Sequence, residues 1–165
     1  MNLNELEIVP VRYEHKSILR NLLELYQYET SAFEADEAGD VHDDGTYGYR
    51  YLDHYWTEQG RFAYFIQVSG KLAGFVMLRQ LPDPEADTVS FSIAEFFIMR
   101  KYQRLGVGQR AAVDMFTRFK GKWSVSWLKD NGSAQQFWTA CIRKFSKGQC
   151  LESMVNGNPS LHFNS

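Results

Sequence analysis

The sequence predicts a mixed α/β domain in which helices flank a partly parallel sheet. Amphipathic runs with helical spacing alternate along the chain with short β-favouring runs, as in sheets covered by helices. In the C-terminal half, strand, helix, strand and helix follow in the order of a right-handed crossover between parallel strands. The 165 residues, 44% of them hydrophobic, can bury a substantial core, so we expect residues 1–165 to form a single domain.

The first third of the chain predicts one strand and two helices around an acidic loop. A short apolar run predicts a strand at 6–11, and apolar residues at helical spacing predict a helix over about 15–28. Residues 30–48 are polar, acidic and punctuated by glycine, which indicates a loop with room for one short helix. A second helix is predicted over about 49–59.

Three β-favouring runs come next. Residues 62–68 and 72–79 are joined by Ser69-Gly70-Lys71, whose turn residues predict a hairpin. Leu81-Pro82-Asp83-Pro84 predicts a break in the regular structure. The run at 88–99 ends in residues that are apolar on both faces, which predicts a strand in the middle of the sheet.

The last third of the chain continues the alternation of strands and helices. Gly106 and Gly108 open a predicted helix, and a second helix follows Asn131-Gly132-Ser133. The core face of the first of these helices is expected to hold Ala112, Met115, Phe116 and Phe119. Strands are predicted at 123–128, 150–155 and 160–163.

Charge is segregated along the chain, although the formal net charge is only −2. Residues 21–49 contain eight acids and no Lys or Arg, whereas residues 100–150 contain eleven bases and two acids. This asymmetry predicts a cationic partner for the first segment and an anionic partner for the second. Two solvated faces without a partner are the alternative.

Several classes of protein and of site are excluded by composition. No run approaches the roughly 18 apolar residues of a membrane-spanning helix, and no secretory signal is recognisable, so we expect a cytoplasmic protein without a membrane partner. Cys141 and Cys150 suit neither a disulfide framework nor a zinc site, and the four histidines lack metal-ligand spacing, so no metal is expected. The basic segment lacks a nucleic-acid-binding motif, so nucleic acid is not an expected partner.

A predicted strand, a loop with three bases and a predicted helix follow one another within residues 96–109. The loop carries Arg100, Lys101 and Arg104, and Gly106 and Gly108 lead into the helix. The first N–H groups of a helix lack internal acceptors and attract anions, and glycine lets the backbone approach a phosphate closely. The segment therefore predicts a phosphate or diphosphate cradle, with a simple tight turn as the alternative. Neither GxGxxG nor GxxxxGK[ST] occurs in the chain.

Two short motifs open the two helices of this C-terminal unit. They are Gln103-x-x-Gly106-x-Gly108 and Asn131-x-x-Ala134-x-x-Phe137-Trp138. In this order the chain resembles the GNAT superfamily of N-acetyltransferases, and the specific resemblance covers residues 91–145. It implies a central, mostly antiparallel, twisted sheet of six or seven strands, flanked by helices and splayed at the strand that binds acyl-CoA. It also implies transfer of an acetyl group from acetyl-CoA, as co-substrate, to an amine by direct attack in a ternary complex.

The resemblance assigns roles to the matched positions. The backbone of residues 104–109 would hold the diphosphate of acyl-CoA, the strand edge at 96–98 would pair with the pantetheine arm, and Asn131 would steady the end of that arm. The implied cofactor-binding residues are Phe96, Phe97, Ile98, Gln103, Arg104, Leu105, Gly106, Val107, Gly108, Gln109 and Asn131.

The reaction needs a group that removes a proton from the acceptor. An amine with a pKa near 10.4 is neutral only about one part in a thousand at pH 7.4, so its deprotonation costs roughly 4 kcal/mol. Glu95 is the first candidate general base because it lies on the strand expected to border the thioester. An ordinary exposed or salt-bridged carboxylate is the alternative. Further candidates in the acidic half are Glu34, Asp36, His42 and His54.

Trp138 departs from the pattern of the family. Many members place at this position a tyrosine that acts as general acid for the departing thiolate. An indole N–H donates a hydrogen bond but is no proton source near neutral pH, so Trp138 is a doubtful proton donor. A non-catalytic acyl-CoA-binding module of the same fold therefore stays open as the alternative function.

The expected partners are acyl-CoA and a small-molecule or peptide amine. The acidic segment, with several tyrosines nearby, favours a cationic amine, and polyamine, aminoglycoside-like and peptide amines all fit that charge. The oligomeric state is not determined by the sequence, and a homodimer is compatible with the implied fold.

Overall fold

The computed structural model describes residues 5–82 and 89–165 of the chain. The strands are β1 (Leu6–Pro10), β2 (Arg61–Val68), β3 (Lys71–Pro82), β4 (Val89–Ile98), β5 (Lys122–Ser126), β6 (Cys150–Val155) and β7 (Asn158–Asn164). The helices are α1 (Lys16–Thr30), α2 (His54–Thr57), α3 (Val107–Arg118) and α4 (Gly132–Phe145). Short 3-10 turns lie at Tyr13–His15, Ser31–Phe33, Asp36–Gly39 and Arg100–Tyr102.

The seven strands form one sheet in the order β1-β2-β3-β4-β5-β7-β6. Neighbouring strands are antiparallel except β4 and β5, which are parallel and are connected through α3. The predicted mixed fold with a mostly antiparallel sheet is therefore confirmed. The predicted hairpin between β2 and β3 is also present, and Ser69 and Gly70 both adopt the positive φ angles that suit a tight two-residue turn.

Each face of the sheet has its own hydrophobic core. Helices α3 and α4 cover one face, where Ala112, Met115 and Phe116 are fully buried as predicted and Phe119 is partly buried. Helices α1 and α2 cover the other face, and Leu19 and Leu23 of α1 are fully buried there. None of the helices within residues 5–82 and 89–165 combines the length and the apolar character that crossing a bilayer requires.

Strand β4 separates from β5 along half of its length. It pairs with β3 from Val89 to Ile98, but its parallel pairing with β5 is limited to three residues, 90–92, opposite residues 122–124. Within the described residues, the C-terminal half of β4 thus presents an edge that β5 does not cover. This is the predicted splay.

A β-bulge in β4 decides which face its later side chains occupy. Met77 of β3 is opposite Glu95 and Leu78 is opposite Ile93, so Ala94 is the extra residue. Ile93 packs on the α3 face, and strict alternation would place Glu95 there too. After the bulge, Phe96 packs on the α3 face, and Glu95 reaches tyrosines on the α1 face.

The predicted helix over 49–59 is wrong in extent, because helical structure is limited to α2. The aromatic side chains of this segment bind separate elements: the Tyr49 hydroxyl donates to Glu95 on β4, and the Trp56 indole N–H donates to the carbonyl oxygen of Val11 at 3.0 Å. These tertiary contacts override a weak local helical preference.

The predicted break at Leu81-Pro82-Asp83-Pro84 does not begin at Leu81. Strand β3 continues to Pro82, which pairs with Val89, and proline is tolerated at such a strand end. Asp83 and Pro84, and Thr88 at the predicted start of the next strand, lie outside the described residues.

Gly74 allows the close approach of β3 and β4. A methyl group at this position would lie 1.9 Å from the carbonyl oxygen of Phe97. We expect Gly74→Ala to lower the free energy of unfolding by about 2 kcal/mol or more, because the two strands must move apart. Denaturant unfolding measures this change. Gly132→Ala is the control, since no atom lies within 4 Å of the added carbon there; equal loss in both variants would contradict the prediction.

Candidate active site

A cleft of about 530 Å³ opens where β4 separates from β5. The edge of β4, the N-terminal ends of α3 and α4, and the C-terminal end of α1 surround it. The sequence-predicted residues that line it are Phe96, Phe97, Ile98, Gln103, Arg104, Gly106, Gly108, Gln109, Asn131 and Trp138. Leu105 is not among the lining residues and is exposed, and the side chain of Val107 is fully buried in the core. Any contact from Val107 to a ligand in the cleft must therefore use its backbone.

Sequence reasoning missed part of the cleft wall. Tyr26, Glu29, Thr30 and Phe33 line it from the end of α1 and the turn that follows. Tyr26 and Glu29 belong to the acidic segment that favours a cationic amine, but nothing in the sequence shows that this end of the helix approaches the acyl-CoA strand. Ser133, Ala134 and Phe137 line it from α4, where helical spacing predicted a core stripe for the two apolar residues.

The N-terminus of α3 is built by two left-handed residues and one side-chain hydrogen bond. Arg104 and Gly106 have φ angles of 58° and 82°. The Gln103 side-chain amide donates to the carbonyl oxygen of Ile98 at 2.8 Å, which ties the loop to the end of β4. Gly106 is the N-cap, and Arg110 N–H donates to its carbonyl oxygen. The amides of residues 107–109 therefore precede the first intrahelical bond and are available to an anion.

Gly108 keeps this helix end close to α4 and β4. A carbon atom added at Gly108 would lie 3.3 Å from the Phe137 ring and 3.4 Å from the Ile98 side chain. Both neighbours also line the cleft. A larger residue at Gly108 would consequently take up space in the cradle itself.

An ion pair crosses one end of the cleft. Arg100 follows β4, and its Nε lies 2.9 Å from Oε1 of Glu29 near the end of α1. Glu29 lines the cleft, as does Arg104 on the α3 side. Arg100 of the basic loop is therefore already paired with an acid, so it is not fully available to an anion.

Three aromatic rings form the α4 wall of the cleft. Phe96 stacks on Phe137 with ring centroids 5.7 Å apart, and Trp138 meets both rings edge-on. Trp138 is only 5% exposed, which supports its packing role. Cys141, one turn further along α4, is buried, and burial raises the pKa of its thiol to about 11, so it remains a protonated packing residue.

Asn131 caps α4. Its side-chain Oδ1 accepts the backbone N–H of Ala134 at 3.0 Å, which satisfies one of the unpaired amides of the helix. The capping oxygen is thereby occupied, and the amide nitrogen of the same side chain is the group left to face a ligand in the cleft.

Glu95 lies in a cluster of tyrosines on the α1 face. The Tyr49 hydroxyl donates to Oε1 at 2.9 Å, and Tyr26 also hydrogen-bonds the carboxyl. Glu95 is not itself among the residues that line the cleft, and its connection to the cleft is through Tyr26, which does line it. Burial raises the pKa of Glu95, the two tyrosine hydrogen bonds oppose that rise, and the negative charge of Glu34 adds to it. This group is therefore a stronger base than an ordinary surface carboxylate.

Several carboxylates of the acidic segment make hydrogen bonds or ion pairs within the protein. Glu24 accepts the backbone N–H groups of Tyr47 and Gly48, Glu29 pairs with Arg100, and Asp44 accepts from Thr46. These carboxylates therefore stabilise the fold of the segment. Glu34 is the acid of this segment whose charge reaches Glu95.

The other candidate bases from the sequence have different surroundings. His54 faces Glu58 at 3.2 Å, and the His42 ring lies against Gly48. The side chain of Asp36 lies outside the described part of the structure. Within the described ranges, no three His, Cys, Asp or Glu side chains are grouped so that they could hold a metal ion.

Comparison with known proteins gives one family and one fold. The sequence profile of the Acetyltransferase (GNAT) family matches residues 22–141. No curated protein sequence matches the chain. An acetyltransferase from Thermus thermophilus superposes with a TM-score of 0.70 at 17% identity, over 100% of both chains.

Two further structures of the same fold carry more specific descriptions. A spermidine N-acetyltransferase from Vibrio cholerae, solved with CoA and spermine, has a TM-score of 0.63 at 13% identity and covers 98% of this chain and 96% of its own. An aminoglycoside acetyltransferase from an uncultured soil metagenomic sample, solved with sisomicin, has a TM-score of 0.61 at 16% identity, over 93% of this chain and 95% of its own. At these identities the similarity shows the fold alone, and it confirms the fold predicted from the sequence.

The capping role of Asn131 can be separated from a ligand-binding role. We expect Asn131→Ala to lower the free energy of unfolding by about 1 kcal/mol through loss of the cap, and Asn131→Ser to retain most of it. Urea unfolding of both variants measures the difference. Equal stability of the two variants would show that the cap contributes nothing.

Proposed function

Because the chain belongs to the GNAT family of acetyltransferases, we propose that it transfers an acetyl group from acetyl-CoA to a primary amine of a cationic acceptor. We propose that residues 1–165 form one acyl-CoA N-acyltransferase domain and that the amine attacks directly in a ternary complex. One observation carries the proposal: the uncovered edge of β4 and the open N-terminus of α3 border a single cleft, and Tyr26 of the same cleft wall interacts with the Glu95 carboxyl.

The donor half of the cleft suits a long molecule with a diphosphate. The amides of residues 107–109 would bind the phosphate oxygens, with Arg104 adding positive charge beside them. The β4 edge at Phe96, Phe97 and Ile98 would pair with the amide groups of the pantetheine arm as an added strand does. Gln103 would support the loop through its bond to β4, and the Asn131 amide would donate to the arm.

Glu95 would take the acceptor's proton, with Tyr26 as its link to the cleft. A protonated alkylamine must lose its proton before it can attack, at a cost of roughly 4 kcal/mol near neutral pH. A carboxylate whose basicity is raised by burial reduces that cost, and burial at the cleft desolvates the ammonium as well. Bound acetyl-CoA supplies the activated acetyl group.

Trp138 would form a wall beside the thioester and would not supply a proton. A thiol has a pKa near 8.5, so the thiolate is a moderate leaving group, and acid assistance helps its departure without being required. Negative charge develops on the carbonyl oxygen of the thioester during the attack. The backbone amides along the β4 edge would stabilise it.

A cationic acceptor is supported by charge. Glu29 and Tyr26 line the α1 side of the cleft, and the charges of Glu34 and Glu95 both act on Tyr26. Two structures of the same fold are described as spermidine and aminoglycoside acetyltransferases, and both names denote molecules with several amino groups. Polyamine, aminoglycoside-like and peptide amines all remain compatible with this cleft.

A non-catalytic acyl-CoA-binding module is the second candidate function. The observation that favours it is Trp138, a buried packing residue at the position where the family has a proton-donating tyrosine. Both candidates predict saturable binding of CoA. Only the transferase predicts release of free thiol when acetyl-CoA and an amine are supplied together.

A thiol-release screen with acetyl-CoA and a panel of amines separates the two functions. We expect turnover with at least one cationic primary amine and a loss of at least about 100-fold in kcat for Glu95→Gln, with CoA affinity unchanged, because the variant lacks the proton acceptor. CoA binding without turnover on any amine would favour the binding module. Full activity of Glu95→Gln would remove Glu95 from the reaction.

Gly108 tests the donor site. We expect Gly108→Val to weaken CoA binding at least tenfold, because the new side chain occupies the space next to Phe137 and Ile98 at the mouth of the cradle. Calorimetric titration measures the affinity, and thermal unfolding measures the accompanying loss of stability. Affinity equal to that of the wild type in a folded variant would contradict the proposed cradle.

A further inference from the structure

Tyr49 contacts Glu95 from a segment far away in the sequence. Its hydroxyl donates to Oε1 at 2.9 Å across a separation of 46 residues. Glu95 lies on β4, next to the bulge at Ala94, whereas Tyr49 lies in the irregular segment before α2. We propose that Tyr49 is a positioning residue for the reaction, which holds the Glu95 carboxyl through this hydrogen bond beside Tyr26 of the cleft wall. This inference rests on the proposed function of Glu95 as the base.

Helix α1 fixes the segment that carries Tyr49. The Glu24 carboxylate accepts the N–H of Tyr47 at 2.7 Å and that of Gly48 at 2.9 Å. The Gln27 side-chain amide donates to the carbonyl oxygen of Gly48 at 3.1 Å. Three hydrogen bonds thus hold the backbone immediately before Tyr49, although that backbone has no regular structure. These bonds fix the direction from which the Tyr49 side chain reaches Glu95.

The charged and titratable groups around Glu95 come from every element packed against it. Tyr26 comes from α1, Tyr49 from the irregular segment before α2, and Tyr55 from α2. Glu34 comes from the residues after the turn at Ser31–Phe33. Arg61 of β2 lies over the Tyr55 ring, 5.7 Å from its centroid.

Tyr26 and Tyr49 act on Glu95 as hydrogen-bond donors. Burial and the nearby carboxylate raise the pKa of both tyrosines well above the usual value, so their hydroxyls keep their protons throughout the physiological range. Each bond favours the charged carboxylate and lowers the pKa of Glu95 relative to a site with burial alone.

The direction in which a Tyr49 variant changes the pKa of Glu95 follows from these opposing effects of burial and hydrogen bonding. Removal of the Tyr49 hydroxyl takes away an interaction that stabilises the carboxylate, so the pKa of Glu95 rises further. A general base must be deprotonated to act, and the acid limb of the kcat/KM profile therefore moves to higher pH. A side chain with only a packing role would leave that limb in place.

Tyr55→Phe is the matched control. Tyr55 is a buried tyrosine of the same cluster, and its hydroxyl makes no hydrogen bond to Glu95 in the described part of the structure. The two Tyr→Phe variants thus remove the same atom from neighbouring sites, and only one of them removes a donor to the carboxyl.

The experiment compares the wild type, Tyr49→Phe and Tyr55→Phe by two readouts. The first is carbon NMR titration of protein labelled at the glutamate carboxyls, with the Glu95 signal assigned from Glu95→Gln. The second is the pH dependence of kcat/KM for an amine found active in the thiol-release screen. For Tyr49→Phe we expect both titrations to move upward by about one pH unit, which lowers kcat/KM about tenfold on the acid limb. The KM for acetyl-CoA should stay unchanged. Tyr55→Phe should move both titrations clearly less than Tyr49→Phe does, because Tyr55 acts on Glu95 only through its charge and through the Tyr49 hydroxyl.

Incorporation of 3-fluorotyrosine at position 49 gives a second variant of nearly the same shape. Its hydroxyl is a stronger hydrogen-bond donor than that of tyrosine, so the Glu95 titration should move to lower pH. This second variant keeps the test valid if Tyr49→Phe does not fold. Unchanged Glu95 titration in both position-49 variants, or an equal shift in Tyr55→Phe, would overturn the inference. If the wild type acetylates no amine, the proposed function fails, and the NMR titration still decides whether Tyr49 controls the Glu95 carboxyl.

Discussion

The separation of β4 from β5 is the constraint on which the candidate site depends. Parallel pairing between these strands ends at Ser92, while β4 continues to Ile98 with β3 as its partner. The remaining half of β4 thus has backbone groups that face a gap instead of a neighbouring strand. The crossover through α3 brings an open helix end to the same gap, so the two kinds of unpaired backbone donor in this fold meet there.

The orientation of the β4 side chains depends on a local irregularity of the strand. The bulge at Ala94 allows Ile93 and Phe96 to pack on the α3 face while Glu95 turns to the tyrosines of the α1 face. Beyond the bulge, Gly74 permits the close approach of β3 to β4 at Phe97. The resulting division is chemical as well as geometric: apolar rings form the wall toward α4, and hydroxyl and carboxyl groups form the wall toward α1.

The acids of the acidic segment have distinct structural roles and do not simply form one charged surface. Glu24 and Glu29 hold structural elements together, one by binding backbone amides and the other by pairing with Arg100. Glu34 and Glu95 are the acids whose charges act on one another beside the cleft. Local charge counts therefore predict an acidic neighbourhood correctly, but they do not separate carboxylates that stabilise the fold from carboxylates that can meet a ligand.

The sequence by itself determined the order of strands and helices, the hairpin at Ser69 and Gly70, the core face of α3, and the glycine-rich start of that helix. These features rest on local chemistry: periodic burial, turn propensity and the backbone freedom of glycine act within a few residues. Motif resemblance also located most residues of the cleft wall. The contribution of Tyr26 and Phe33 to the cleft, the contact between Tyr49 and Glu95, and the capping use of Asn131 were decided by the tertiary structure. The first two join segments far apart in the sequence, and the face occupied by Glu95 depends on a bulge whose one-residue offset reverses an alternation pattern. The Asn131 bond is local, but its motif fits a cap and a ligand contact equally well, and only the position of its oxygen distinguishes them.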